Sequence, residues 1–337
     1  MASISLRGRD AALLTAMLAT ETGNVVMNTL FKAANLKGLN SYTFLVYSYL
    51  IGSLVLLAPH IFSYRLRSLP PLSFSILCKI GVLGLLGSTY LITGFIGIEY
   101  SSPTLSSAIS NINPAITFIL AIIFRMEKAS FKARSSVAKM VGTLVSLVGA
   151  LVVVLYHGPR VFPSSSPSFL QLRQLLPSLS SSNSDWIKGG CLLAIKDTLV
   201  PVAFILQAHI MKIYPAPFTV SFYYFLIASF LTSLIGLVAE KNNPSVWIIQ
   251  FDIALVCIIF GGIFNPGYYA IHLWAVRNKG PVYLAIFRPL SILIAVIMGA
   301  IFLGDIFYLG SLVGGILISL GFYTVMWGKS KEETQLL

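Results

Sequence analysis

The chain has 337 residues, of which 56% are hydrophobic and 10% are charged, and its mean hydropathy is +0.85. Soluble domains carry about 25% charged residues, so this composition excludes a water-soluble globular protein. In a soluble protein, the net charge of +12 would suggest nucleic acid as a partner. Here the basic residues lie in short loops between apolar runs, which is typical of membrane topology. We therefore expect the lipid bilayer as a partner, and no nucleic acid.

Long apolar runs predict the helices in chain order. A helix needs about 20 mostly apolar residues to cross a bilayer, whereas barrel strands are shorter and alternate in polarity. The predicted spans are residues 11–31, 41–62, 76–97, 103–124, 137–156, 187–209, 217–239, 252–274, 282–303 and 307–327. The sequence therefore predicts an all-α membrane protein with ten transmembrane helices.

The distribution of Lys and Arg predicts the orientation of these spans. With the N-terminus in the cytosol, fifteen of them fall on the cytosolic side and six on the other side. Cytosolic loops carry an excess of positive charge. We therefore expect a multi-pass protein with both termini cytosolic.

One long loop, residues 157–186, is rich in Ser and Pro and is typical of a flexible linker. It separates a first half, 11–156, from a second half, 187–327, which is followed by a cytosolic tail, 328–337. Each half has five spans, an odd number, so the second half must enter the membrane from the opposite side. Inverted repeats of this kind allow a transporter to expose a central site to either side in turn.

Two pairs of residues support a relationship between the halves. Glu21 and Lys196 lie 175 positions apart, at similar depth in the first and sixth spans, and Pro114 and Pro289 have the same separation. Broken helices and polar residues at equivalent places in two repeats often mark a transport site.

Ionisable residues inside spans are expected to face the bundle interior, because a charge at the bilayer centre costs about 2.5–3.5 kcal/mol. Glu21, Asn24 and Asn28 form one stripe of the first span, which suits a wet cavity or a hydrogen-bonded seam between helices. Lys196 and Asp197 lie about 100° apart around the sixth span, so we expect each to find a partner elsewhere, Glu21 for Lys196. A buried structural ion pair is the alternative to solute binding.

Proline predicts interruptions at three places, because it removes a backbone donor and frees a carbonyl one turn back. The motifs are Asn111-Ile112-Asn113-Pro114, Phe287-Arg288-Pro289 and Asn265-Pro266-Gly267. Polar residues at such breaks can face substrate, although a simple packing kink is the alternative. The predicted substrate-binding set is Glu21, Asn24, Asn28, Asn111, Asn113, Pro114, Lys196, Asp197, Asn265, Arg288 and Pro289. The four His residues are scattered without metal spacing, so no catalytic residue, metal or cofactor is expected.

Several segments resemble a known family. They include Lys32-Ala33-Ala34-Asn35-Leu36-Lys37-Gly38-Leu39, Asn113-Pro114-Ala115-Ile116-Thr117-Phe118 and Gly280-Pro281-Val282-Tyr283. Together they resemble the plant drug/metabolite exporters, also called WAT-related, nodulin-like EamA or UMAMIT transporters, of the drug/metabolite transporter superfamily. The resemblance implies ten helices in two EamA repeats, transport of amino acids, auxin or related metabolites, and a plasma-membrane or vacuolar-membrane location. Members often carry Tyr-Arg-Asn in the second helix, where this chain has Tyr47-Ser48-Tyr49, so substrate preference is expected to differ.

The sequence is compatible with two transport functions, and a third, enzymatic function is weighed against them. The first is a carrier of small organic solutes working by alternating access, in which Arg288 and Lys196 meet a carboxylate and an acid meets an amine or a proton. Proton coupling and a homodimer are left open. The alternative is a nucleotide-sugar or phosphorylated-metabolite antiporter of the same superfamily, against which Glu21 and Asp197 argue. A membrane-embedded transferase would require clustered His, Asp or Ser, and the sequence shows no such cluster.

Overall fold

The computed structural model describes residues 2–66, 72–101, 105–106, 109–126, 134–156, 183–249, 251–291, 293–294 and 309–336. These residues form helices joined by turns, and no β-strand occurs among them. The α-helices are α1 (Ala2–Asn35), α2 (Ser41–Leu66), α3 (Phe74–Tyr100), α4 (Asn113–Ile123), α5 (Arg134–Leu155), α6 (Asn183–Ile213), α7 (Pro217–Ala239), α8 (Ile253–Lys279), α9 (Pro281–Ile286) and α10 (Leu309–Leu336). Short 3₁₀ helices span Ser110–Ile112 and Pro244–Trp247.

Local sequence sets several helix ends. The Asp252 carboxylate accepts a hydrogen bond from the backbone N–H of Ala254 over 2.8 Å, which caps the start of α8. At its other end α8 stops at Gly280, whose φ of +83° lies in the region that favours glycine. Pro281 then begins α9, where its missing N–H costs nothing. Gly280 and Pro281 therefore determine the turn between α8 and α9.

Six of the described helices are long and apolar enough to cross a membrane, namely α2, α3, α5, α6, α7 and α8. Large apolar side chains remain exposed along them, including Leu54 (71%), Phe230 (65%) and Val238 (75%). Surfaces of this kind are unfavourable in water but match lipid chains. The chain is therefore an integral multi-pass membrane protein, and the full number of ten spans remains a prediction.

The most extensive contacts between helices are symmetric under exchange of the two halves. The pairs α2–α7, α4–α9 and α5–α10 each join equivalent helices of the first and second half. The contact between α3 and α6 has its counterpart in α1–α8, and the contact between α2 and α8 has its counterpart in α3–α7. Such a pattern is expected when two similar five-helix units enclose a common axis.

Aromatic packing and a lysine join the first three helices at one end of the bundle. The buried rings of Phe31, Phe44 and Phe95 meet with centroids 4.6–5.1 Å apart. The Lys32 ammonium donates to the carbonyl oxygens of Ile98, Glu99 and Ser101 over 2.8–3.0 Å. A cation at a helix C-terminus satisfies otherwise unpaired carbonyls, so α1 is tied to the end of α3.

One predicted interruption is absent from the structure, and the last helix is longer than predicted. Because α8 runs unbroken through Pro266, the predicted break at Asn265-Pro266-Gly267 is wrong. Proline is tolerated within membrane helices where neighbouring groups satisfy the freed backbone groups, and Pro266 lies close to Gly52 of α2. Helix α10 continues to Leu336, through nearly all of the predicted tail. Residues 157–182 of the predicted linker, and 295–308 of the last two predicted spans, lie outside the described residues.

Candidate functional site

An interior cavity lies where the two halves meet, between α1, α2, α3, α6, α7, α8 and the segment that follows α9. It encloses about 930 Å³ of space, part of which is open to solvent. The part of this space that admits the centre of a water-sized sphere is about 120 Å³, room for several waters or a small solute. Its polar lining comprises Asn24, Asn28, Tyr49, Tyr90, Ser106, Ser110, Lys196, Tyr224, Asn265, Tyr268, Tyr269, Arg288 and Ser291.

Five of the predicted binding residues line this cavity. They are Asn24 and Asn28 of α1, Lys196 of α6, Asn265 of α8 and Arg288 after α9. The side chain of Asn111 lies outside the described part of the chain, while Asn113, Pro114 and Pro289 are buried without lining the cavity. The remaining two predicted residues, Glu21 and Asp197, are buried carboxylates (0% and 1% exposed) outside the cavity lining. The cavity lining therefore carries two cations, and no acidic residue is among its described members.

Lys196 and Asp197 form an ion pair, so the prediction that these neighbours would need separate partners is wrong. The Lys196 ammonium lies 3.4 Å from one Asp197 oxygen, and it donates to the Ser106 and Ser110 hydroxyls over 2.9 and 3.2 Å. The other Asp197 oxygen accepts hydrogen bonds from Ser110 (2.9 Å) and Asn113 (3.0 Å). The long lysine side chain bends across the 100° separation, which backbone geometry alone does not reveal.

Arg288 is the second cation, and its surroundings are aromatic. Its guanidinium carbon lies 5.8 Å above the ring of Phe204, a cation–π distance. Oε1 of Glu21 lies 4.0 Å from Nε2 of His272, and the predicted contact between Glu21 and Lys196 is absent from the described hydrogen bonds and ion pairs.

The regular helical backbone is interrupted near the two prolines that lie 175 positions apart, Pro114 and Pro289. The 3₁₀ helix Ser110–Ile112 passes directly into α4, where Pro114 occupies the first turn. In the second half, α9 ends at Ile286 and a turn at Phe287 precedes helical residues 288–291. These interruptions place Ser110 and Arg288 on the cavity wall.

Tyrosines make up much of the cavity wall, and the sequence prediction missed them. Tyr224 and Tyr269 stack with ring centroids 4.1 Å apart, and the hydroxyls of Tyr90 and Tyr224 lie 3.3 Å apart. Tyr49 stacks on Phe225 at 4.8 Å. The repeat spacing could have found them, because Tyr49 and Tyr224 are 175 positions apart, as are Tyr90 and Asn265.

A helical membrane bundle with a polar cavity between two similar halves is the architecture of a membrane carrier. The chain belongs to the EamA-like transporter family, whose match covers residues 11–155 and 188–327. This confirms the resemblance to EamA transporters and the presence of two EamA repeats, and it supports a function as a membrane transporter.

Named relatives agree with this assignment. The chain is 88% identical to the WAT1-related protein At3g28130 of Arabidopsis thaliana, in an alignment that covers 100% of this chain and 95% of that protein. It is 68% identical to the WAT1-related protein At3g28100 of the same plant, over 99% and 95% of the two chains. A solved crystal structure whose description assigns no function superimposes with a TM-score of 0.63, covering 93% of this chain and 98% of its own, at 14% identity. That last similarity shows a common fold alone.

Proposed function

We propose that this protein carries small carboxylate-bearing organic solutes, such as amino acids, auxin-like acids or related metabolites, across its membrane by alternating access. The proposal rests on the positive charge of the ionisable residues that line the cavity. Arg288 and Lys196 line it, while Glu21 and Asp197 lie behind it. Arginine presents a planar set of donors that matches a carboxylate.

The rest of the wall suits the organic body of such a solute. Rings of Tyr49, Tyr224 and Tyr269 offer flat apolar faces, and their hydroxyls can hydrogen-bond to polar substituents. Asn24 and Asn265 add amide groups that can accept from an amine. A cavity with flat rings and one strong anion-binding group selects solutes by charge first and by shape second.

Alternating access is supported by the symmetry of the helix contacts. Because the most extensive contacts between the halves have counterparts, the two halves can exchange conformations with limited change in these contacts. Rocking of one repeat against the other around a fixed central site would then open the cavity to each side in turn.

The proposal is tested by counterflow in proteoliposomes containing the purified chain, with labelled amino acids and indole acids. We expect the Arg288→Gln variant to lose about ten- to a hundredfold in uptake at low solute concentration, because a charge-assisted hydrogen bond contributes about 1.5–3 kcal/mol. The matched control is Arg277→Gln, since Arg277 is exposed and donates to the Pro215 carbonyl away from the cavity. Equal uptake by both variants, or no transport of any compound by the wild type, would contradict the proposal.

A phosphorylated-metabolite antiporter remains the second candidate, because two cations line the cavity while both acids lie behind it. The same assay separates the two functions. Sugar phosphates or nucleotide sugars that compete at micromolar concentration, where carboxylates do not, would favour the antiporter. Competition by free carboxylates alone would favour the carrier proposed above.

A further inference from the structure

Three basic side chains lie on the outer surface of the bundle, where the start of α3 meets the end of α6. The Lys79 ammonium lies 3.3 Å from Nε2 of His209, and Lys212 follows His209 by three positions, on the same face of α6. His209 and Lys212 are exposed, and Lys79 is half-buried. We call these three residues the basic cluster, and none of them lines the cavity described above.

The basic cluster lies within an apolar surface. Lys79 is five residues inside the apolar span that begins at Phe74, about 7.5 Å along the helix at 1.5 Å per residue. Exposed apolar side chains precede the cluster in α3 and follow it at the end of α6 and the start of α7, namely Phe74, Leu77, Ile213 and Phe218. In a bilayer such side chains face lipid, so the basic groups lie near the level where headgroups meet acyl chains.

The described part of the chain offers no acidic partner for the cluster. Lys79, His209 and Lys212 take part in none of the ion pairs between described residues. The sequence from 22 to 98 and from 198 to 239, which supplies α2, α3, the end of α6 and α7, contains neither Asp nor Glu. An uncompensated cation on a lipid-facing surface is costly, so an anion from the surrounding membrane would stabilise it.

The donors of the cluster suit a phosphate group. An ammonium has three N–H donors and no acceptor, so Lys79 donates one of them to Nε2 of His209. The ring proton of a neutral His209 is then on Nδ1. This N–H, two N–H groups of Lys79 and the Lys212 ammonium make no bond with another described residue. Several charge-assisted donors converging on one group are typical of phosphate binding.

We propose that the basic cluster binds the phosphate of an anionic phospholipid in the cytosolic leaflet. The cluster holds the phosphate, and the exposed apolar side chains beside it contact the acyl chains, which a soluble phosphate lacks. Charge counting places this end of the bundle in the cytosol, and the cytosolic leaflet carries the anionic lipids. Because α3 belongs to the first half and α6 to the second, the bound lipid ties the two halves together and stabilises their contact.

The test measures lipid binding to the purified full chain in detergent by native mass spectrometry, with dioleoyl phosphatidylglycerol and dioleoyl phosphatidylcholine as probes. We expect the wild type to bind the phosphatidylglycerol about tenfold more tightly. Lys79→Gln with Lys212→Gln should remove this preference, because charge-assisted hydrogen bonds are lost, whereas Lys79→Arg with Lys212→Arg should keep it. The matched control is Lys37→Gln with Lys241→Gln, which removes two exposed charges at the opposite end of α2 and α7 and should bind as the wild type.

Thermal unfolding in the same detergent separates a lipid from free phosphate. Phosphatidylglycerol should raise the unfolding temperature of the wild type and not that of the double glutamine variant, while millimolar inorganic phosphate should change neither. Equal stabilisation by inorganic phosphate would assign a soluble anion to the cluster and overturn the lipid proposal.

Two further outcomes would also overturn the proposal. One is a wild type without preference between the two lipids. The other is an equal loss of affinity in the cluster variant and in the matched control, which would show attraction to net charge alone. If the double glutamine variant does not fold, Lys212→Gln decides, because its side chain is exposed. We expect this single variant to bind phosphatidylglycerol severalfold more weakly, and unchanged affinity would contradict the site.

Discussion

Asp197 holds the polar contacts of α6 together. It is 1% exposed, it balances Lys196, and it accepts hydrogen bonds from Ser110 and Asn113. We expect Asp197→Asn to lower the free energy of unfolding by about 3–5 kcal/mol, because it leaves the Lys196 ammonium without its counter-charge. Thermal unfolding of the purified protein in detergent measures this effect.

The matched comparison is the double variant Lys196→Met with Asp197→Leu. Replacing both members of a buried ion pair by apolar residues of similar volume is often close to neutral, whereas removing one member is not. The double variant should therefore unfold at a higher temperature than Asp197→Asn. The reverse order would show that the hydroxyl and amide contacts of Asp197, rather than its charge, stabilise this region.

Single residues show where sequence reasoning succeeds and where it stops. Arg288 and Asn24 could be placed near a cavity because a polar group in a long apolar run must avoid lipid. The same rule could not separate Arg288, on the wall, from Glu21, behind it. That distinction depends on helix rotation and on side-chain direction, which are set by packing between helices distant in sequence.

The contact between α5 and α10 depends on close approach of two backbones. A Cβ atom added at Gly142 would lie 2.6 Å from the carbonyl oxygen of Gly321 and 2.9 Å from the backbone nitrogen of Val325. Small residues permit this proximity between membrane helices. We expect Gly142→Ala to destabilise the protein by about 1–3 kcal/mol, as overpacking typically does, seen as a lower unfolding temperature.

Gly81 in α3 provides the control for that substitution. A Cβ atom there would meet no atom within 4 Å, and alanine has the better helix propensity. Gly81→Ala should therefore unfold at or above the wild-type temperature. If both alanine variants unfold alike, the α5–α10 contact can separate at little cost, and close backbone packing does not stabilise it.

Run length predicted the helices, but proline did not distinguish a helix that begins or ends from one that continues. Pro114 and Pro266 both follow an asparagine in an apolar run, yet Pro114 lies in the first turn of α4 and Pro266 lies within the unbroken α8. Helix α8 packs along α1 and α2, and its helical backbone continues through the proline. Proline alone indicates a missing hydrogen bond and not whether the helix ends.

At the scale of the whole molecule, residues that line the cavity show how the two halves correspond. Tyr49 with Tyr224, and Tyr90 with Asn265, follow the same spacing of 175 that joins Glu21 to Lys196. Equivalent positions thus supply the wall from both repeats. The first half gives Glu21 where the second gives Lys196, so the repeats keep position and change charge, which makes the site chemically asymmetric.

The orientation of the bundle in the membrane can be tested at the two ends of α7, which are expected on opposite sides. Charge counting places Lys212, at the end of α6, in the cytosol and residues 241–249, after α7, on the other side. Cysteines at the exposed positions Lys212 and Ser245 would report this, once Cys78, Cys191 and Cys257 are replaced. In intact yeast cells with the protein at the cell surface, a membrane-impermeant maleimide should label Ser245→Cys. It should label Lys212→Cys only after permeabilisation. The opposite pattern would invert the bundle and place both predicted termini outside the cytosol.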